Sequence, residues 1–587
     1  MNYELIKNSL NDISNPIETV LKNRGITDWK QYMKLNDDCI YPYSMLSNIG
    51  QAVECMKKHI ENKNRIHIIV DSDVDGYTSG SMIYRYLKLV DPKLDITYSL
   101  HTAKQHGLSY DIEVPDDCNL LIIPDAGSND VEQCEELKGK GIDIIILDHH
   151  ICDKENKYAI VVNNQLGDYP NKNLCGAGVV YKFLQALDDE LWESYADNML
   201  DMVALANISD VMDMREYETR YLVDKGLNKI RSKLFKALID KQSYSMNGIV
   251  NITSVQFYIT PILNAMIRIG YQNEKDLLFR AFIETDEVFK YKKRGESEES
   301  DEDIYTRAAR LCYNAKNRQS KEVTKEVTEI DNIIEKQSLD KNKALFINGS
   351  DVINESLTGL VAMKVADKYQ KPCIILRRRK HVENEPYLYG GSCRNFDNSP
   401  VFSLKNELCD TGLFEFVQGH DNAAGVCIDR ENVISAIAAI NEKWKSIDFT
   451  PKYLVDFDVM MDDIDICFIK EINDMKDIFG QGIKEPLVHI SNIPVYTENI
   501  TLMGKELNSW KILVNDEVAV VKFLVNTNTD TLINKYNDEY GNDMSAFDEE
   551  NESTLIGYMD VIGTVTMNNF KGILTPQIIV KDYVLNK

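Results

Sequence analysis

Between residues 66 and 150 the chain alternates short apolar runs with amphipathic stretches. Ile66-His67-Ile68-Ile69-Val70, Leu120-Leu121-Ile122-Ile123 and Ile142-Asp143-Ile144-Ile145-Ile146-Leu147 are β-branched runs of strand length. They read as buried parallel strands. SGSMIYRYLKLV (79–90) and NDVEQCEELKGKG (129–141) carry helical spacing and read as the crossover helices between them. The alternation predicts an α/β fold with a doubly wound parallel sheet. A long polar segment of helical pattern, 303–338, links two lobes. A smaller α/β pattern follows, with ALFING (344–349), a helix around 357–369 and the strand CIILR (373–377). From about 450 the pattern turns to strands, ITLMG, WKILV and VAVVKFLV, which predicts a small C-terminal β-barrel.

Composition narrows the class. With 587 residues, 44% hydrophobic and 27% charged, the chain is long enough for several cores and reads as globular. No apolar run approaches the roughly 20 residues of a membrane helix. The start, MNYELIKNSLNDISNP, lacks a basic-then-apolar leader, so the expected location is the cytoplasm. Twelve cysteines without a CxxC pair read as buried small hydrophobes rather than zinc ligands. The net charge of −27 argues against general DNA binding through phosphate neutralisation. It leaves room for a local basic groove or for bound cations. ESEESDED (296–303) and NDEYGNDMSAFDEENE (537–552) read as solvated acidic loops.

The chemistry sits at the strand ends. The first run ends in DSDVDG (71–76), the second in PDAG (124–127), the third in DHH (148–150). Ligands of open α/β sheets bind outside the carboxyl ends of strands. Asp71, Asp73, Asp75, Asp125, Asp148, His149 and His150 are therefore expected to converge on one crevice. Asp210, after the helical segment MLDMVALANIS (199–209), is a further candidate. So many carboxylates in one crevice need neutralising cations. Carboxylates with one or two imidazoles suit Mn²⁺ or Mg²⁺ better than Zn²⁺, and two such ions about 3.5–4 Å apart can clamp a phosphodiester and activate water. The simpler readings are an EF-hand loop, a turn aspartate and a surface His-His pair. The EF-hand lacks its twelfth ligand, since Met82 stands there.

DSDVDG, PDAG, DHH and ISDVMD resemble the four motifs of the DHH phosphoesterases. NRGITDW (23–29), VVNNQLGDYPNKNLCGAGVVYKFL (161–184), PILNAMIRIG (261–270), GGSCR (390–394), GHDNAAG (419–425) and FGQGIKEPLV (479–488) are similar, in order, to further RecJ-family segments. The resemblance implies a DHH catalytic domain (1–235), a helical linker (236–338), a DHH-associated substrate-binding domain (339–447) and an OB-like barrel (448–587). It implies a two-metal 5′→3′ single-strand DNA exonuclease releasing mononucleotides in recombination, repair or replication. Two Mn²⁺ or Mg²⁺ would be its cofactors, with single-strand-binding or replication proteins as partners.

Residue by residue, Asp71, Asp73 and Asp125 would hold one ion. Asp75, Asp125, His149 and Asp210 would hold the other, with Asp125 bridging. Asp148 would orient His149, and His150 would contact the scissile phosphate. Ser392 and Arg394 would hold the 5′ phosphate, and His420 lies in the motif that closes over the nucleotide. The chain departs from the pattern in three places. Ile69 stands where many DHH proteins have histidine. His101 falls where RecJ has a phosphate-binding arginine, followed by QHGL (105–108) for GYGL, so Lys104 is the substitute. Ile262 replaces the arginine after the inter-lobe proline, while Arg268 remains. Arg377-Arg378-Arg379-Lys380 reads either as a solvated loop or as a phosphate track, and Tyr496 and Trp510 as core or base-stacking residues. The alternatives are a phosphodiesterase for oligoribonucleotides or cyclic dinucleotides, a pyrophosphatase, and a non-catalytic replication factor of the same fold.

Overall fold

The apolar runs become the five parallel strands of one sheet: β1 (Ile66–Val70), β2 (Ile96–Leu100), β3 (Leu120–Pro124), β4 (Asp143–Asp148) and β5 (Ile160–Asn163). Their order is β2-β1-β3-β4-β5. This computed structural model describes all residues except 103–104, 110–111, 294, 296, 381–385, 516, 541–554, 571 and 587. Helices α1 (Val74–Val90), α2 (Val131–Gly139), α3 (Gly176–Leu191) and α4 (Leu200–Ser209) accompany the sheet. Ile69, Leu121, Ile123, Ile144 and Ile146 pack on Cys134 and Leu137 of α2, so both faces of the central strands are dry. The strand order reverses between β1 and β3, which opens a crevice at their carboxyl ends.

The chain falls into two compact units, one of residues 30–322 and 477–483, the other of 1–29, 323–476 and 484–587. The long helix α6 (Ile304–Gln337) runs from the first into the second. Before it, α5 (Thr260–Ile269) continues from a π-helical turn at Val255–Ile259. The second unit holds a five-stranded sheet of β6 (Leu345–Asn348), β7 (Cys373–Arg378), β8 (Leu388–Arg394), β9 (Phe414–His420) and β10 (Ala423–Asp429), in the order β9-β10-β8-β7-β6, with α7 (Thr358–Tyr369) against it. It also holds a seven-stranded sheet spanning Phe457–Asn586, whose two longest strands form the hairpin Leu555–Phe570 and Ile573–Asn586.

One local expectation changes, and one open alternative closes. Within the acidic run 296–303, Ser300–Asp303 is not loop but a strand paired with Val288–Tyr291. Glu302 turns inward, with Arg310 binding both its oxygens at 2.8 and 2.7 Å. The guanidinium lets that carboxylate be buried. The other run, 537–552, lies largely outside the described residues. Trp510 is fully buried and meets Tyr583 edge-on, so it is core and offers no stacking face. All twelve cysteines are free thiols.

Candidate active site

The carboxylates lie where backbone geometry pins them. Asp73 caps α1, its Oδ1 accepting the Gly76 N–H at 3.0 Å. The helix thus starts at Val74, five residues earlier than its apolar spacing suggests. That places Asp75 in the first turn, where exposed N–H groups favour negative charge. Asp75 is then gripped from across the crevice. The N–H groups of Gly176 and Ala177, opening α3, donate to its two oxygens at 2.7 and 2.8 Å. Asp125 directly follows β3 in the left-handed region, φ +68°, a conformation that aspartate tolerates better than most residues. Its N–H is tied to Leu147 O at 2.8 Å.

Gly176 fits because it has no side chain: a Cβ there would lie 2.4 Å from Asp125 Oδ1 and 2.8 Å from Asp125 Cα. Gly176→Ala should therefore cost about 1–3 kcal/mol of stability and push Asp125 out of place. Thermal melting and Mn²⁺ titration of the variant check this. Wild-type values in both would remove Gly176 from the site.

The histidines behave differently. His149 is buried, and burial holds its pKa below the usual imidazole value despite the nearby Asp75, so it stays neutral with a lone pair to offer. Its Nε2 lies 3.2 Å from Asp125 Oδ1, 3.5 Å from Asp210 Oδ2 and 3.9 Å from Asp75 Oδ2. The expected link from Asp148 to the His149 ring is not the one formed. Asp148 Oδ1 accepts the backbone N–H groups of His149 and His150 at 2.7 and 3.1 Å and binds the ring of His150 at Nδ1, 2.8 Å. The turn after β4 brings the second ring, not the first, back to the carboxylate. Burial opposes charge on His150, but the Asp148 hydrogen bond and charge outweigh it and lift the imidazole to about 9. His150 is half exposed, so a cation faces solvent.

Burial first, then the charges of Asp75, Asp73, Asp71 and Asp210, hold the Asp125 carboxyl well above its usual range. Asp210, just past α4, is raised by burial and by Asp75 and Asp73. Burial pushes Asp71 up to about 6, although His106 and the Gly107 N–H partly offset it. Asp125 Oδ1 and His149 Nε2 are buried with no hydrogen-bond partner. Asp71, Asp73 and His106 form one group of mutually close ligand atoms. Asp75, His149 and Asp210 form a second, and Asp125, His149 and His150 a third that shares His149.

Sequence reasoning misses His106, because QHGL reads as a degraded motif; a histidine beside a glycine just past a strand end is the available signal. Arg268 enters that reasoning only as part of the inter-lobe motif. It is largely buried on α5, its Nε has no hydrogen-bond partner, and the charge of Asp73 reaches it. His101 is buried, and burial lowers it to about 4, so it supplies no charge in place of the arginine. Lys104 lies outside the described residues. A further group, Cys55, His59 and Asp143, is closed by Lys58 and Lys138 on the Asp143 carboxylate, 3.3 and 2.7 Å.

In the second unit, Ser392 and Arg394 share a face of β8. Arg394 Nη1 donates to Ser392 Oγ at 2.7 Å, and Nη2 lies over Gly359 in the first turn of α7. His420 is exposed at the end of β9, on the same rung as Arg394 through Ala423, two strands away or roughly 10 Å. Of the basic run, Arg377 pairs with Glu355 at 3.3 Å and Arg378 with Asp351 at 2.8 Å.

Residues 65–207 match the DHH family N-terminal domain, and residues 455–582 match the RecJ OB domain. The chain is 40% identical over 581 residues to YorK of the Bacillus subtilis (strain 168) SPbeta prophage, whose name assigns it to the single-strand DNA-specific exonucleases; the match covers 98% of this chain and 97% of YorK. The single-stranded-DNA-specific exonuclease RecJ of the same bacterium is 27% identical over 508 residues, 83% of this chain and 59% of that longer protein. The fold superposes on the crystal structure of Thermus thermophilus RecJ in complex with Mn²⁺ with a TM-score of 0.67 at 16% identity, covering all of this chain and 79% of that one. The chain therefore belongs to the RecJ family of DHH phosphoesterases.

Proposed function

We propose that the chain is a two-metal exonuclease that digests single-stranded DNA from the 5′ end and releases 5′-mononucleotides. The observation that carries this is the convergence of five carboxylates and His149 at the strand ends, with Asp125 Oδ1 and His149 Nε2 buried and without hydrogen-bond partners. A bare buried polar atom costs about 1–3 kcal/mol, and the carboxylates repel one another. Divalent cations relieve both, and a carboxylate-rich donor set with imidazole suits Mn²⁺ or Mg²⁺. Asp75, Asp125, His149 and Asp210 would hold one ion and Asp71, Asp73 and Asp125 the other. When bound, such ions polarise a phosphodiester and activate water for in-line attack. The chain's own part is to present cations to the phosphate oxygens: the His150 imidazolium, held charged by Asp148, and the Arg268 guanidinium on α5. The preference for single-stranded DNA follows the names of RecJ and YorK, the 5′ polarity is what the family resemblance implies, and the cytoplasmic location stays an expectation from the sequence. Among the described residues, no helix is long and apolar enough to cross a membrane.

Strands of DNA and RNA labelled at either end, with and without Mn²⁺, test the reading. A 5′ label should appear at once as mononucleotide, from DNA and only with metal. Digestion confined to RNA or short oligonucleotides would point instead to an oligoribonucleotide phosphodiesterase. No digestion under any condition would point to the non-catalytic replication factor.

Arg394, held beside Ser392 and the start of α7, has the chemistry of an end-phosphate grip, because a guanidinium can bind phosphate oxygens in pairs. Arg394→Ala should raise KM for 5′-phosphorylated strands roughly 10–150-fold, the equivalent of about 1.5–3 kcal/mol, and leave 5′-hydroxyl strands nearly unchanged. Equal effects on both substrates would remove Arg394 from end recognition.

A further inference from the structure

The loop after β2 brings an imidazole to the first carboxylate group. His106 Nδ1 lies 2.6 Å from Asp71 Oδ2, and the N–H of the next residue, Gly107, lies 3.0 Å from Asp71 Oδ1. Asp71, Asp73 and His106 each offer a ligand atom, all within 4.8 Å of one another. The two residues after His106 are pinned. Gly107 sits at φ +60° with no room for a side chain against Asp130, and the Leu108 N–H donates to Asp130 Oδ2 at 2.7 Å. A feature of the adjoining group also points to a ligand. Asp125, fully buried, leaves Oδ1 without a hydrogen-bond partner although Asp73 and Asp71 are close enough for their charges to bear on it. No imidazole of β1 joins the group, since Ile69 is packed in the core and both ring nitrogens of His67 are taken by Thr97 and Ser99.

We infer that His106 is a ligand of the first cation site, completing a set of Asp71, Asp73, His106 and the shared Asp125, and that it sets the preference of that site for Mn²⁺ over Mg²⁺. The inference rests on the proposed reading of these groups as cation sites. Neighbouring ligand atoms on an octahedral ion with bonds of about 2.1 Å lie roughly 3 Å apart. The Nδ1–Oδ2 separation is within a few tenths of an ångström of that, so an ion can enter with little rearrangement. Imidazole suits transition-metal ions, whereas Mg²⁺ takes oxygen ligands and water, so the nitrogen favours Mn²⁺. The competing role is a purely orienting one, in which His106 only donates a hydrogen bond to Asp71.

The full-length chain and its His106→Ala and His106→Gln variants decide between the two. Glutamine keeps a hydrogen-bond donor for Asp71 but is a poor ligand. Mn²⁺ binding is followed by electron paramagnetic resonance, Mg²⁺ by competition, and bound imidazole by the nitrogen modulation of the Mn²⁺ spin echo. The wild type should bind two Mn²⁺, each with an imidazole nitrogen. Both variants should lose roughly a hundredfold in Mn²⁺ affinity at one site, lose that site's nitrogen signal, and lose less than about tenfold for Mg²⁺. Equal losses for the two metals with the nitrogen signal intact, or wild-type behaviour of His106→Gln, would overturn the inference. A wild type that binds no Mn²⁺ would instead remove the cation-site reading beneath it.

Discussion

Asp125→Asn is expected to abolish turnover and, in the absence of divalent cations, to raise the melting temperature. Asparagine suits the left-handed backbone at this position as well as aspartate does, so the strand end keeps its shape. What goes is the charge proposed to serve both ions at once. Losing several kcal/mol of transition-state stabilisation corresponds to a fall in turnover of about three orders of magnitude or more. The stability gain follows from linkage. Burial and four neighbouring carboxylates hold the Asp125 pKa well above its unfolded value, so the folded chain binds this proton more tightly than the unfolded one. Stability is then lost as pH rises from the ordinary carboxylate pKa towards the raised one, and above it the full repulsion persists. The variant escapes that loss. In EDTA at neutral pH it should melt higher than the wild type, by roughly 1–2 °C for each kcal/mol of repulsion removed, with the gap closing in acid. Adding Mn²⁺ should reverse the order. A variant that turns over normally, or that melts lower than the wild type in EDTA, would sink the bridging role.

His149→Ala and His150→Ala should both lose activity, on the order of 10²–10³-fold, by separable routes. His149 is neutral and aims Nε2 at Asp125 and Asp210, so its loss is one of cation affinity, and excess Mn²⁺ should restore part of the rate. His150 is a cation held by Asp148, and its loss should be indifferent to added metal. The pH profile gives a second readout. The folded pKa of His150 is about 9, so its charge persists through neutral pH and is lost as pH rises through about 9. The rate should fall over that range. Asp148→Asn removes the hydrogen-bonded charge that lifts His150, and should draw the alkaline limb down towards neutral pH. Identical metal rescue of the two alanine variants, or an alkaline limb unmoved by Asp148→Asn, would argue against the division of roles.

Much of this architecture is legible because its signals are local. Runs such as 66–70 and 120–123 are almost wholly Ile, Leu and Val and buried at every position, and strands buried on both faces use that pattern. Parallel strands then send their last residues to one edge, so acidic and histidine clusters at successive strand ends are bound to meet. The start of α1 is harder to read because Asp73, Val74, Asp75 and Gly76 lack apolar spacing; their place in a helix comes from the Asp73 cap. The strand at 300–303 is hidden by its charge, since its carboxylate is buried only because Arg310, on the following helix, turns back to meet it.

Alone, the sequence determined the parallel sheet, the edge at which chemistry gathers and the family, because hydrophobic period and motif order are properties of neighbouring residues. Tertiary structure decided which imidazole does what. Asp148 holds His150 rather than His149 because of how the chain turns after β4. His106 reaches Asp71 from 35 residues away because the loop after β2 folds over the end of β1. The charge of each group is likewise a tertiary property. Identical side chains acquire opposite pKa shifts according to burial and to the partners that packing places within a few ångströms, and neither is written in residue order.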